Sequence, residues 1–466
     1  MTCPKTEPEN TWLFNLLEDK GDKECPLIKE WNVVESAYGM EKETLKYHKC
    51  ILLTSFTHLV IIMGRRQLIQ YDPYQKKQCT MEVTMKRIHL FILIILITTA
   101  AFGQKPDGLT DKPEHAAQQS FIFVFNDTVR SAEVKGLARA MAVRNGGQLE
   151  HVYETALKGF SAKLPLQAAE NLSRNNPQIA YFTANGVAYG MGTPVATRAS
   201  GQAKPGGGPP PQETPYGITR VGGGVTTSNA TAWVIDSGID LDHPDLNVDV
   251  ARSISYISYG GGSNQSPDDY NGHGTHVAGI IAAIDNNDYT VGVTPGTTVV
   301  SVRVLGRNNS GSWADIIAGI DHVAANAAPG DVANISIGGS YNQAVNDAII
   351  AASATCPFTI SAGNDGEFTG DVSPASAEGP NLYSVSAINI NDELASWSNW
   401  GIPPVDWAEP GVSVLSLYKG AGTATYNGTS MAAPHLAGLL LLGNVVNGGS
   451  TVNTDPNGDA HPIGVH

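Results

Sequence analysis

The stretch Val234-Ile235-Asp236-Ser237-Gly238-Ile239 is an apolar run that ends on a carboxylate. Outward from it, residues 230–235 read as one short, continuously apolar strand, the pattern of a strand covered on both faces. Residues 298–305 and 359–361 repeat that pattern, and residues 313–325, 344–354 and 433–442 carry helical spacing. Strands alternating with helices from about residue 213 predict an α/β fold, a parallel sheet with helices on both faces. Such sheets bind ligands beyond the carboxyl ends of their strands, which is where Asp236 stands.

Two further segments carry chemistry. Asn271-Gly272-His273-Gly274-Thr275-His276-Val277-Ala278-Gly279 sets a histidine between glycines at the mouth of a helix. Gly428-Thr429-Ser430-Met431-Ala432-Ala433-Pro434-His435 sets a serine at the start of an apolar helix. Acyl transfer needs a hydroxyl, a base to take its proton and a group that orients the base. Ser430, His273 and Asp236 supply them. A helix N-terminus suits the negative charge that develops beside Ser430, and Gly428 lets a substrate backbone come close. In Ser361-Ala362-Gly363-Asn364-Asp365-Gly366 a side-chain amide ends a strand. Asn364 and the Ser430 backbone N–H would together hold an oxyanion.

Each piece alone has an ordinary reading: a turn carboxylate, a tight loop, an N-cap serine, a turn asparagine. All four in one chain, in the order Asp, His, Asn, Ser, argue for a single constellation. Asp…His…Ser is a known chain order for the serine triad. An ester hydrolase of the Gly-x-Ser-x-Gly type lacks support, because Ala432 replaces the second glycine. A zinc pair at His273 and His276 lacks a third ligand and a neighbouring Glu. His276 and His435 read as packed, hydrogen-bonded helix residues.

Composition narrows the function class. The 466 residues are 42% hydrophobic and 16% charged, with 50 glycines, which suits a turn-rich globular chain and not a coiled coil. Net charge is −15, so phosphate backbones would repel it and nucleic-acid binding is not expected. The charge is uneven. Residues 213–466 hold 5 basic and 24 acidic residues, net −19, whereas residues 105–212 hold 11 and 8, net +3. Met85-Lys86-Arg87, the apolar run 88–97 and the small-residue motif Ala101-x-Gly103 describe a secretory signal peptide over 85–103. Met85 then reads as the start, and residues 1–84 as an over-extended gene model. That segment holds Cys3, Cys25, Cys50 and Cys79. The remaining Cys356 cannot pair within the exported chain and reads as a small buried apolar residue. The apolar stretch 51–63 is too short to span a membrane. Residues 118–185 read as β-α-β-β-α-β, a ferredoxin-like α+β unit. A Gly/Pro-rich linker follows at 199–212, flexible and open to proteolysis.

The segments around Asp236, His273, Asn364 and Ser430 resemble those of the subtilases, the subtilisin-like serine proteases. Val302-Arg303-Val304-Leu305-Gly306 and Ser336-Ile337-Gly338-Gly339 are similar to the family segments that flank bound substrate. The resemblance implies a three-layer α/β/α sandwich over 213–466. It also implies that Asp236 orients the base, His273 is the general base and acid, Ser430 the nucleophile and Asn364 the oxyanion donor. Leu305, Gly306, Ser336, Ile337, Gly338 and Gly339 would line the substrate cleft, with 306–313 and 334–339 as edge strands that pair with an extended polypeptide. Nothing acidic sits in 336–339, which points to a broad or apolar preference, while distant loops that also line such pockets leave cleavage after basic residues open. Glu154-Thr155-Ala156-Leu157-Lys158-Gly159-Phe160-Ser161-Ala162 resembles the family's propeptide inhibitor domain. Residues 104–198 would then be an intramolecular inhibitor, later removed from a secreted, monomeric enzyme. Its basic charge opposite an acidic enzyme favours docking. Calcium is a further expectation of the resemblance, structural and not chemical, with Asp240, Asp242 and Asp245 as candidate oxygen ligands.

Overall fold

A computed structural model describes residues 118–195, 209–257, 266–443 and 445–466, together with the backbone of 51–55 and 58–62. Residues 85–103, expected to be a signal peptide, and most of the expected linker 199–212 lie outside the described residues. The chain divides into two units, Met1–Thr110 and Asp111–His466. In the first, strands Ile51–Ser55 and His58–Ile62 form an antiparallel hairpin. Among the described residues no helix is long and apolar enough to cross a membrane.

The second unit begins with a four-stranded antiparallel sheet. Its order is Gln148–Tyr153, Gly159–Leu164, Gln119–Phe125, Ile179–Ala184. Helices Ser131–Arg144 and Leu166–Asn175 complete the expected β-α-β-β-α-β order. Alternate residues of the first strand, Phe121, Phe123 and Phe125, turn into one core with Val134, Ala138, Met141, Phe160 and Leu164. Phe123 and Phe160 stack there with ring centroids 4.9 Å apart.

The remainder is built on a parallel sheet. Strands Thr298–Arg303, Thr231–Asp236, Val332–Ile335, Phe358–Ser361, Leu382–Ile388 and Val405–Pro410 lie side by side in that order. All positions of Thr231–Asp236 are buried, so the continuous apolar run is a doubly covered strand. Trp233 and Ile235 pack against helices Trp313–Asn326 and Gln343–Ala352. Ala232 and Val234 face the other way, onto helices His273–Ala282 and Thr429–Leu441. The architecture is the three-layer α/β/α sandwich expected. Side chains alternate along a strand, so Asp236 falls on the face of Ala232 and Val234. The helices on that face carry His273 and Ser430. Cys356 is buried, and burial pushes its thiol up to about 12, in keeping with an apolar role.

The segment after the serine helix also joins the sheet. Strand Pro462–Val465 runs parallel beside Val405–Pro410, and Val446–Ser450 pairs antiparallel with it. Four-residue strands with glycine carry too little periodicity to be seen in sequence. This docking buries Glu409 completely. Burial raises its carboxyl well above the usual range, while the Gly464 backbone and Arg220 pull weakly the other way. A folded-state pKa above the unfolded one gives stability that is present below about pH 4.5 and lost as pH rises. Glu409→Gln removes that loss. In a Ser430→Ala background its melting temperature should equal the parent's at pH 4 and exceed it increasingly at pH 6 and pH 8. A gap that is constant with pH would rule out this account.

Candidate active site

Asp236 closes its strand with the carboxylate buried, and Oδ1 accepts from the Ser237 N–H at 2.6 Å. The same oxygen lies 2.7 Å from His273 Nδ1, both side chains being inaccessible to solvent. His273 is the first residue of its helix, entered through Gly272 at φ +112°. A Cβ on Gly272 would stand 2.0 Å from the Tyr418 ring, so glycine is required there.

Asp269, which no motif singled out as part of the site, holds this corner together. Its carboxylate accepts the N–H groups of Asn271, Gly272 and Thr275 and the hydroxyls of Ser237 and Thr275. Ser237 Oγ in turn accepts from the Gly274 N–H at 3.0 Å. An acid two residues before Asn-Gly is a legible turn signal, but its partners come from separate elements.

Ser430 is the second residue of the helix Thr429–Leu441. Its hydroxyl donates to the Ser336 carbonyl at 3.1 Å, and Ser336 Oγ donates back to the Ser430 carbonyl at 3.0 Å. Asn364 is pinned by its own oxygen, which accepts from Thr429 N–H and Oγ1, each at 2.9 Å. That orientation leaves Nδ2 as the outward donor. Nδ2 donates to the Met191 carbonyl at 2.6 Å, and the Ser430 N–H reaches the same oxygen at 3.3 Å. His273 Nε2 is buried without a hydrogen-bond partner. A Cβ on Gly192 would fall 2.9 Å from that nitrogen and 3.2 Å from Met431 Sδ. A Cβ on Gly428 would fall 2.2 Å from the Met191 oxygen, which explains the glycine before the serine helix. The peptide from Met191 to Gly192 thus lies between the serine, the histidine and the asparagine.

The chain leading to that peptide is an extended strand. Val187–Gly190 pairs antiparallel with Ser310–Ser312 on one side and Ile337–Ser340 on the other. Met191 N–H donates to the Ser336 carbonyl at 3.1 Å. Beyond the peptide, Thr193–Pro194 pairs with Tyr426 and Asn427. Of the expected cleft residues, Ser336, Ile337 and Gly338 meet this segment directly. A Cβ on Gly338 would come 2.3 Å from Met191 Cε, and one on Gly339 3.0 Å from the Val187 carbonyl. Leu305 instead is buried beneath Gly311, and Gly306 closes a loop by donating to Ser310 at 2.8 Å. The edge strands are shorter than the 306–313 and 334–339 expected, because Asn334 belongs to the central sheet.

The four-stranded unit rests on helices Trp313–Asn326 and Gln343–Ala352. Backbone N–H groups of Glu154, Thr155 and Ala156 converge on the Asp321 carboxylate at 3.1, 2.8 and 2.7 Å. Tyr153 donates to the Ala314 carbonyl at 3.1 Å, and Tyr181 to the Asp347 carboxylate.

His276 and His435 are packed helix residues, as expected. His276 Nε2 lies 3.0 Å from the Ala424 carbonyl and His435 Nδ1 2.8 Å from the Met431 carbonyl. Burial lowers them to about 3 and about 4. The candidate calcium ligands do not form a cage. Asp240 accepts from Gly420 N–H at 2.7 Å, and Asp245 from Asn286 Nδ2 at 2.7 Å. Burial raises both carboxyls, Asp240 with a further push from the neighbouring Asp242 and Asp245 to about 7. No three His, Cys, Asp or Glu side chains are grouped to hold a metal among the described residues.

Residues 228–453 match the model of the subtilase family. The subtilisin-like serine protease AsES of Sarocladium strictum is 34% identical over 373 residues, covering 74% of this chain and 87% of that protein. Subtilisin E of Bacillus subtilis (strain 168) is 31% identical over 366 residues, covering 76% of this chain and 87% of that protein. The solved structure of a cold adapted subtilisin-like serine proteinase matches at 31% identity, covering 53% of this chain and 96% of that one, with a TM-score of 0.44. The chain therefore belongs to the subtilase family and is a serine-type endopeptidase.

Proposed function

We propose that this chain is the precursor of a secreted endopeptidase that releases itself by cutting its own Met191–Gly192 bond. The observation that carries the reading is the Met191 carbonyl, held at once by Asn364 Nδ2 and the Ser430 N–H. Two donors on one carbonyl oxygen are what an oxyanion hole requires. In the reaction the Ser430 hydroxyl turns from the Ser336 carbonyl and attacks the Met191 carbonyl carbon. Its proton passes to His273 Nε2, and Asp236 holds the Nδ1–H side of the ring. The negative charge stays on the oxygen between Asn364 and Ser430. The C–N bond to Gly192 then breaks, and His273 returns the proton to the departing amine. Water repeats the sequence on the Met191 ester and frees Ser430. Other polypeptides enter once the inhibitory segment leaves the cleft.

The β-α-β-β-α-β unit is the inhibitor in this reading. It supplies the strand Val187–Gly190 that fills the cleft and docks through Asp321, Ala314 and Asp347. Export is supported by the basic start, apolar run and small-residue motif of 85–103. The test is to purify the full chain and determine the termini of its fragments by mass spectrometry. One fragment should end at Met191 and another begin at Gly192, the two co-eluting until the smaller is degraded. An intact chain, or cleavage only elsewhere, would sink the proposal.

A further inference from the structure

Asn309 stands over Gly190, the residue that precedes the one whose carbonyl is held for attack. Its backbone is left-handed, at φ +59°. Its carbonyl accepts the Gly190 N–H at 3.0 Å, and its Nδ2 donates to the Gly190 carbonyl at 3.3 Å. These two bonds bracket Gly190 and lay the carboxamide across the side of its Cα where a side chain would project. A Cβ on Gly190 would stand 2.4 Å from Nδ2, 2.6 Å from Oδ1 and 2.7 Å from Cγ. All three atoms belong to the end of one side chain, so a Cβ at this position requires the Asn309 carboxamide to move. Swinging the carboxamide aside breaks its bond to the Gly190 carbonyl and acts on a residue already in an uncommon backbone conformation.

The positions on either side are treated differently. Tyr189 is about half exposed, at 55%, so its side chain meets little of the cleft. Ala188 is fully buried, and Met191 packs its methyl against Gly338. The tightest exclusion therefore falls on Gly190.

We propose that Asn309 is a specificity-determining residue that makes this protease select polypeptides with glycine one position before the residue whose carbonyl is cut. The preferred substrates are extended segments of the form small–any–Gly–apolar, cleaved after the apolar residue. The inference rests on the reading that residues 187–192 mark the path of a substrate.

The test uses the self-cleaved enzyme and chromogenic peptides ending Ala-Tyr-Gly-Met, Ala-Tyr-Ala-Met and Ala-Tyr-Leu-Met. Overpacking of this kind should make kcat/KM for the glycine peptide about 10- to 100-fold higher than for the leucine peptide. Asn309→Gly keeps the positive φ accessible and should bring the ratio to within about 3-fold. A purely structural role for Asn309 would lower all three peptides together and leave the ratio unchanged, which overturns the proposal. So would a wild-type enzyme that treats the peptides alike, a measurement that needs no variant. In the full chain, Gly190→Leu should slow cutting at Met191, and Gly190→Leu with Asn309→Gly should restore it. A chain that cuts neither itself nor any peptide refutes the proposed function, and the selectivity falls with it. A chain that cuts after Met191 without preference at Gly190 refutes the selectivity alone.

Discussion

Ser430→Ala is expected to leave the full chain uncut and to lower kcat on peptide substrates by roughly a million-fold, the scale of losing the serine from a subtilisin. The side chain is one hydroxyl in a buried corner, so the fold should survive. Alanine suits the second position of a helix, and the bonds lost are those between Oγ and the Ser336 carbonyl. The backbone N–H that reaches the Met191 carbonyl stays in place. The variant should therefore keep the strand Val187–Gly190 seated in the cleft. It should also fail to react with a fluorophosphonate that labels the wild type. Labelling or self-cleavage of the variant would mean that the nucleophile lies elsewhere.

Asp236→Asn is expected to lower kcat by roughly 10,000-fold with little change in KM. The amide is nearly isosteric, so the 2.7 Å contact to His273 Nδ1 can persist. Its sign changes, however. The carboxylate accepts both the imidazole N–H and the Ser237 N–H through the same oxygen. An amide oxygen turned toward Ser237 can still accept, but it carries no full charge for the imidazolium that forms as the serine proton arrives. Turned the other way, the amide presents a donor and forces the wrong tautomer on His273. A loss below about tenfold would show that Asp236 only packs against the histidine. The two variants are not additive, since without Ser430 there is no proton for His273 to take.

Asp236, His273, Asn364 and Ser430 were legible because each lies in a short segment whose flanking residues have local reasons. Glycines allow tight entry to helices, an apolar strand delivers a carboxylate, and a helix start stabilises charge. The β/α alternation and the β-α-β-β-α-β order were legible for the same kind of reason, since periodicity is a property of neighbours in sequence. The assignments least legible in sequence were those of reach. Leu305 and Gly306 belong to the right loop, but the ladder begins at Ser310. Asp240 and Asp245 are close in sequence, yet the fold gives each its own amide partner and buries it.

By itself the sequence determined the fold class, the identity of the four chemical groups and the order in which the chain delivers them. Local spacing and composition suffice for that, because strands and helices are made from near neighbours. Only the tertiary structure decided what stands in front of the serine. The Met191 carbonyl meets Ser430 and Asn364 across 239 and 173 positions of chain, and the 2.6 Å contact to Asn364 arises only when the strand Val187–Gly190 seats between its neighbours. Asp269 gathers five donors from three places, and Asn309 closes over Gly190 from 119 residues away. Contacts of that range depend on how whole elements dock, and no periodicity within an element records them.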